Sequence, residues 1–266
     1  MTHLPLRRAA FGLAMGLSLV ACNDDRLQNI CVNHAELCLD LVDDGWCRIE
    51  RTDVIRARFS LKQEASDRHK YELMSKLEGY LRCIERSTHI EYKYAKERKS
   101  DRVEGMLAAG AELERLDGET RQSLDPYLLI WHWTNNTNDQ ARQQFLAQAG
   151  TPSLEEPALQ LALGGIYAKT DPERAIKVMK HGLSLYREGD EVDSRLLTSL
   201  STLHMGQKHY PDAYLWGKVS AAFLGGSEVS AKRFSLYHSL SKAELATLDT
   251  QAAELVQQIK AGSYRP

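Results

Sequence analysis

The sequence predicts an all-α protein whose C-terminal half is built from stacked helical hairpins, and three observations carry that prediction. Apolar residues recur at helical spacing, as at Met74, Leu77, Leu81 and Ile84, which fall at i, i+3, i+7 and i+10 on one face. Two segments of similar composition, Asp171-Pro172-Glu173 and Tyr210-Pro211-Asp212, read as helix starts. In the first, an aspartate oxygen can cap free amides, the proline sits where no amide donor is needed, and an acid faces the positive helix end. Finally, Ala141, Ala175, Ala213 and Ala252 are spaced 34, 38 and 39 residues apart. That spacing matches the period of helical-hairpin arrays, where an alanine early in each second helix lets paired helices approach.

From the N-terminus, Arg7 and Arg8 precede an apolar and small run from Ala9 to Ala21. A basic start, a run of this size and a polar break after it read as a signal peptide over residues 1–21. The run is short of the ~20 residues a membrane-spanning helix needs. Leu19, Val20, Ala21 and Cys22 resemble the lipobox of bacterial lipoproteins, in which small residues admit the peptidase and a thiol carries the lipid. The resemblance implies lipidation at Cys22 and a membrane attachment through that lipid, facing the periplasm. The alternative is an ordinary signal peptide cut after Ala21. Asn23 follows the cysteine where an aspartate would signal inner-membrane retention, so the inner leaflet of the outer membrane is expected. Asp24 and Asp25 keep the inner membrane open.

Residues 22–58 form a cysteine-bearing head, broken at the turn sequence Asp43-Asp44-Gly45 and too short for a core of its own. With Cys22 assigned to lipid, Cys31, Cys38, Cys47 and Cys83 remain, an even number in an oxidising compartment. Two disulfides are expected, with three possible connectivities. The expected pairing is Cys31 with Cys38 locally and Cys47 with Cys83, which lies beside the apolar stripe and would clamp head to body. Cys31, His34, Cys38 and Cys47 could instead be lined up as a zinc set, but there is no C-x-x-C knuckle and oxidation competes. The compact Trp46-Cys47-Arg48 with Glu50 and Arg51 reads first as a structural staple and second as a partner contact.

Residues 59–124 are a helical segment. Ser100 followed by Val103, Met106, Leu107 and Leu113 predicts one of its helices. Tyr92, Lys93, Tyr94, Lys96, Arg98 and Lys99 are basic and aromatic, but Glu91, Glu97 and Asp101 interleave with them, which favours a solvated helix face over an anion site.

Residues 125–266 are the hairpin repeats. Ala175, Ile176, Met179 and Leu183 line the helix after Pro172, with Gly189 expected to end it, and Ala213, Trp216, Val219 and Phe223 line the helix stopped by Gly225 and Gly226. Ser241 with Glu244 is a capping box for a last helix whose Leu245, Leu248, Leu255, Val256 and Ile259 share a face. Leu163-Gly164-Gly165-Ile166-Tyr167 and Ala213-Tyr214-Leu215-Trp216 through Ala221-Ala222 resemble tetratricopeptide and Sel1-like repeats. The resemblance implies a short solenoid; a non-repetitive helical bundle is the alternative. The chain as a whole resembles a family of uncharacterised Gram-negative lipoproteins carrying a domain of unknown function, through Cys22, the Cys31 and Cys38 pair, and Asp44-Gly45-Trp46-Cys47-Arg48 running into Glu50-Arg51. That resemblance implies compartment and architecture, and no activity.

A formal charge of -2 excludes a strongly basic nucleic-acid binder, and 43% hydrophobic residues exclude general disorder. There is no G-x-S-x-G, phosphate-binding glycine loop, H-E-x-x-H or dinucleotide fingerprint, no cofactor is expected, and no metal site is assigned. Trp131 and Trp133 cannot share a helix face, so one is expected in the core and the other in a groove. His204 and His209 read more readily as cap or surface histidines than as ligands. Two function classes follow. The first is an envelope adaptor or scaffold binding a protein or extended peptide in a groove near Trp131 or Trp133, Tyr167, His204 and Trp216. The second is an envelope enzyme acting on peptidoglycan or another glycan through a carboxylate pair, for which 36 acidic residues offer many candidates.

The lipobox reading predicts that Cys22→Ser blocks lipidation, leaving an unprocessed or soluble chain. Metabolic labelling with a fatty acid and membrane fractionation check this; retained label with unchanged fractionation would sink it.

Overall fold

A computed structural model describes residues 26–91, 93–225 and 240–266, so the signal segment, Cys22, Tyr92 and Gly226 lie outside the described residues. Among the described residues there are eleven α-helices and no strand, and no helix is long and apolar enough to cross a membrane. The chain divides after Glu119 into two compact units, the second being Thr120–Pro266. The expected head and helical segment together make up nearly all of the first, and α2 below crosses residue 58 without a break.

The first unit contains α1 (Leu27–Asn33), a single 3-10 turn (Ala35–Leu37), α2 (Arg48–Gln63), α3 (Asp67–Thr88) and most of α4 (Glu97–Thr120). Ser66 caps α3 by accepting from the His69 amide at 3.2 Å. The α3 stripe buries Leu73, Met74, Leu77, Tyr80 and Ile84, so Tyr80 takes the place expected for Leu81, which is only half-buried. Residues 93–96 precede α4 rather than lying on a helix, and Lys99 pairs with Glu91. The face that α4 buries differs from the expected one. Arg102, Gly105, Ala109 and Leu116 are buried, while Leu107 is 63% exposed and Val103, Met106 and Leu113 are half-buried. The reason is the chain opposite. At Gly105 a Cβ would lie 2.8 Å from Val42 Cγ2 and 3.4 Å from the Asp40 carbonyl, so α4 meets the head loop where it has no side chain.

Three buried arginines hold that loop. Arg51 donates to the Leu41 carbonyl at 3.2 Å. Arg58 donates to the Leu37 carbonyl at 2.9 Å and clasps both oxygens of Asp40 at 2.6 and 2.7 Å, with Glu112 on its other side. Burial alone would lower the pKa of Arg58, but acceptance by Asp40 and Glu112 raises it, so the guanidinium stays charged. Arg102, fully buried, donates to Asp44 at 2.7 Å and to the Ser87 carbonyl at 2.9 Å, and its guanidinium carbon lies 5.5 Å from the centre of the Trp46 ring. The buried Tyr80 hydroxyl accepts from the Val42 amide at 3.2 Å. Disulfides join Cys31 to Cys38 and Cys47 to Cys83, the expected pairing. The zinc reading of the head is thereby excluded, because its three thiols are spent on sulfur bonds, and His34 Nδ1 lies 3.1 Å from Lys62 Nζ.

In the second unit, α5 (Pro126–Asn136) packs on α6 (Asp139–Ala147), α7 (Pro157–Tyr167) on α8 (Pro172–Ser184), and α9 (Ser194–Gly206) on α10 (Tyr210–Leu224). A last helix, α11 (Lys242–Lys260), packs on α10. Asp125, Asn138, Asp171 and Asp193 cap α5, α6, α8 and α9 through side-chain oxygens. The Ser241 and Glu244 capping box of α11 is present on both sides. Ala141, Ala175 and Ala213 are buried within the first turn of their helices, whereas Ala252, also buried, sits in the middle of α11. Gly164 works with Ala175: a Cβ at Gly164 would lie 2.7 Å from Met179 Cγ. Beside Ala213, Ser201 donates to the Ala213 carbonyl at 2.8 Å. Helix α8 ends at Ser184 with Leu185 as its cap, before Gly189, which instead supplies a positive φ of 88° in the following loop.

Loop length sets the relative worth of the disulfides. A separation of 36 residues makes Cys47–Cys83 worth about 4 kcal/mol in the chain-entropy model, against about 2 for the 7-residue Cys31–Cys38. Replacing both Cys47 and Cys83 by Ser should therefore lower the unfolding free energy more than the same change at Cys31 and Cys38. Arg102→Met, which strands Asp44, should cost about 3–5 kcal/mol. Guanidinium unfolding followed by circular dichroism checks all three; an unchanged midpoint for Arg102→Met would contradict the clamp.

Candidate functional site

The residues expected to line a groove divide by burial. Trp131 is 8% exposed and Trp216 2%, and Trp216 stacks edge-on against Tyr264 with ring centres 6.2 Å apart. Both belong to the interior and correct the expectation of a docking role, because a partner could reach them only by unpacking the helices. Trp133 and Tyr167 are half-buried. Trp133, near the end of α5, lies 5.7 Å from the guanidinium carbon of Arg142 on α6. Tyr167, the last residue of α7, has the guanidinium carbon of Arg174 on α8 at 4.2 Å from its ring centre. Each aromatic thus stands at the turn end of its pair with a cation from the following helix against its face. The turn ends of the α7–α8 and α9–α10 pairs are linked, since Gln207 Nε2 donates to Glu173 Oε1 at 2.9 Å.

His204, expected at a cap or on the surface, is 6% exposed. Among the described residues, neither of its ring nitrogens meets a hydrogen-bond partner. Burial lowers its pKa from 6.5. His209 is the residue preceding α10 and makes no capping bond with its side chain. His132 shows the opposite arrangement: it is 1% exposed, but Nε2 lies 3.0 Å from Thr120 Oγ1 and Nδ1 3.2 Å from Asn136 Nδ2.

In the first unit, a cleft of about 700 Å³ runs along the head loop and the facing side of α4, lined by Asp40, Asp43, Asp44, Asp101 and Glu104 among others. Its acids are largely engaged: Asp40 with Arg58, Asp44 with Arg102, and Asp43 with Arg51 at 3.5 Å. They act as acceptors that hold the loop. Two groups of metal-type donors occur among the described residues. In one, Cys47 and Cys83 are consumed by their disulfide, leaving Glu50. The other is His204, His209 and Asp212. The sequence presents His204 and His209 as cap or surface histidines and Asp212 as part of the helix start Tyr210-Pro211-Asp212, and nothing in it joins the three.

The depressed pKa of His204 has a pH consequence. The unfolded chain takes up a proton near pH 6.5 that the folded chain resists, so stability is unaffected where both forms are neutral and falls as pH drops below about 6.5. In the presence of a chelator, unfolding free energy should decline more steeply between pH 7 and pH 5 for the natural chain than for His204→Gln; parallel curves would reject the assignment.

No curated protein and no solved structure matches the chain. A family described as "Protein of unknown function (DUF2989)" matches residues 19–218. That span takes in the head, all four helices of the first unit and most of the second, and the chain belongs to this family.

Proposed function

We propose that the chain is a lipid-anchored adaptor or scaffold of the cell envelope, tethered through Cys22 and facing the periplasm, whose second unit holds a protein or extended peptide partner. The observation that carries this reading is the pair of half-exposed aromatics at hairpin turns, Trp133 with Arg142 and Tyr167 with Arg174. Aromatic and arginine side chains dominate binding energy at protein interfaces, and here each ring is held in place by a neighbour on the next helix. The paired helices α5–α6, α7–α8 and α9–α10 are read as tetratricopeptide or Sel1-like repeats, a plan that presents such side chains in series. The tether would concentrate the binding unit at the membrane, with the outer membrane's inner leaflet as the expected site.

The enzyme alternative finds no comparable support. The cleft of about 700 Å³ in the first unit is acidic, but Asp40, Asp43 and Asp44 are paired with arginines rather than standing as an acid and base across a substrate space.

Trp133→Ala and Tyr167→Ala should each weaken partner capture by about 1–3 kcal/mol beyond the loss of stability expected from rings that also pack in part against the core. In-envelope crosslinking followed by co-purification, with the midpoint of unfolding measured for each variant, decides the matter. Loss of capture that tracks loss of folding would remove this surface as the binding site. Turnover of peptidoglycan fragments, abolished by a single carboxylate change that spares folding, would replace the adaptor reading with the enzyme one.

A further inference from the structure

We propose that His204, His209 and Asp212 form a binding site for a divalent cation of the zinc class, a site independent of the adaptor reading. The α9–α10 turn assembles it. His204 lies in the last turn of α9, and the His209 amide donates back to the His204 carbonyl at 2.9 Å. Lys208 adopts a left-handed φ of 62° between them, so the chain reverses within a few residues and the two imidazoles lie with centres 6.0 Å apart, tilted by 44°. Asp212 enters from the first turn of α10. One ligand-type atom from each of the three residues lies within 4.8 Å of the others.

Proximity alone would not distinguish this group from an ordinary polar turn. The second observation is the state of His204. It is 6% exposed, and among the described residues both ring nitrogens are without a hydrogen bond. A buried polar group left unsatisfied is destabilising, and few are tolerated without a reason. The architecture does not impose that cost, since His132 is as deeply buried and bonded at both nitrogens. Gln207, in the same turn, also leaves its Oε1 buried and unbonded among the described residues while its Nε2 donates to Glu173.

The donor set selects the ion. Two imidazoles and one carboxylate suit zinc and its neighbours, whereas calcium and magnesium require mainly oxygen ligands. Bonds of about 2.0–2.1 Å place tetrahedral ligand atoms ~3.4 Å apart, a separation that falls inside the 4.8 Å within which these three atoms lie. His209 and Asp212 are exposed and free to turn inward onto a fixed His204. Three protein ligands leave a fourth position for water or a side chain of a bound partner. The positive charge of Lys180, which acts on His204, opposes the ion, while Asp212 and Glu173 act in the other direction.

The test uses the full chain purified in detergent, stripped with a chelator and with any free thiol alkylated. Zinc is titrated by competition with a chromophoric chelator, and cobalt(II) substitution reports coordination through its visible absorption bands. The expected result is one zinc per chain, cobalt bands of a four- or five-coordinate site, and no competition from millimolar calcium or magnesium. His209→Ala and Asp212→Asn are at exposed positions and should preserve helicity while weakening zinc by about tenfold or more, since each removes one of three ligands. His204→Ala should abolish the cobalt bands, and the two exposed variants keep the test decisive if it misfolds. Absence of stoichiometric zinc binding by the natural chain, or binding unchanged in both His209→Ala and Asp212→Asn, overturns the site.

Discussion

The stretch between Cys38 and Cys47 buries Leu41 but also carries three aspartates and leaves Leu39 exposed, yet it lies against three helices as fixed structure. Its backbone carbonyls and acids would be costly to hold against an apolar surface. Arg51, Arg58 and Arg102 resolve the conflict by reaching the loop from α2 and α4, meeting the Leu37 and Leu41 carbonyls and the Asp40 and Asp44 carboxylates. Other features follow from this arrangement. Gly105 is required because the loop runs directly over α4 there. Cys47 takes a left-handed φ of 51° as the loop turns into α2, and its bond to Cys83 fixes that corner on α3. A buried charge with one partner removed costs more than a neutral contact, so the loop and its arginines stand or fall together.

The second unit depends on small residues instead. Ala141, Ala175 and Ala213 stand where paired helices come closest, and Gly164 and Ser201 meet that approach from the opposite helix. Close backbone packing in the first turn leaves the large side chains to settle elsewhere along each pair. Trp216 goes inward against Tyr264, whereas Trp133 and Tyr167, near the turns, remain partly open. Position along the hairpin, more than residue type, decides which aromatics could meet a partner.

Elements that rest on local chemistry were legible in the sequence. Asp171 before Pro172 and the Ser241 and Glu244 box state their structure within a few residues, and the structure shows both, whereas of the spaced alanines Ala141, Ala175 and Ala213 open their helices and Ala252 does not. What failed to read through depends on contacts distant in sequence. The inward face of α4 is set by Arg102 and Gly105, which score as polar and featureless until the loop 58 residues away from Arg102 is placed beside them. Tyr80 displaced Leu81 from the core for a related reason: its hydroxyl has the Val42 amide to bond. At the candidate surface, sequence could name Trp131 and Trp133 as opposites but could not say which was inside. Nor could it bring Asp212, legible there only as part of a helix start, beside His204, which lies eight positions earlier on the preceding helix.

That burial separates the two ways this fold treats an interior imidazole. On α5, Thr120 and Asn136 supply partners to His132, and the ring behaves as a rigid polar link in the core. On α9, no described residue supplies one to His204, while the turn that follows brings a second imidazole and a carboxylate to within 4.8 Å. If the demand were only to fill space between α9 and α10, a leucine would do so without the penalty of two unmet nitrogens. If it were only to add polarity to the turn, an exposed position would serve. A histidine that is buried and flanked by exposed ligands meets neither demand but does meet a third, a fixed first ligand onto which mobile second and third ligands can close. Because Gln207 ties this turn to Glu173 on α8, an ion held here would stiffen two adjacent hairpin turns at once. The same ends carry Tyr167 and its arginine, so the proposed metal site and the proposed docking surface would share one rigid edge of the second unit.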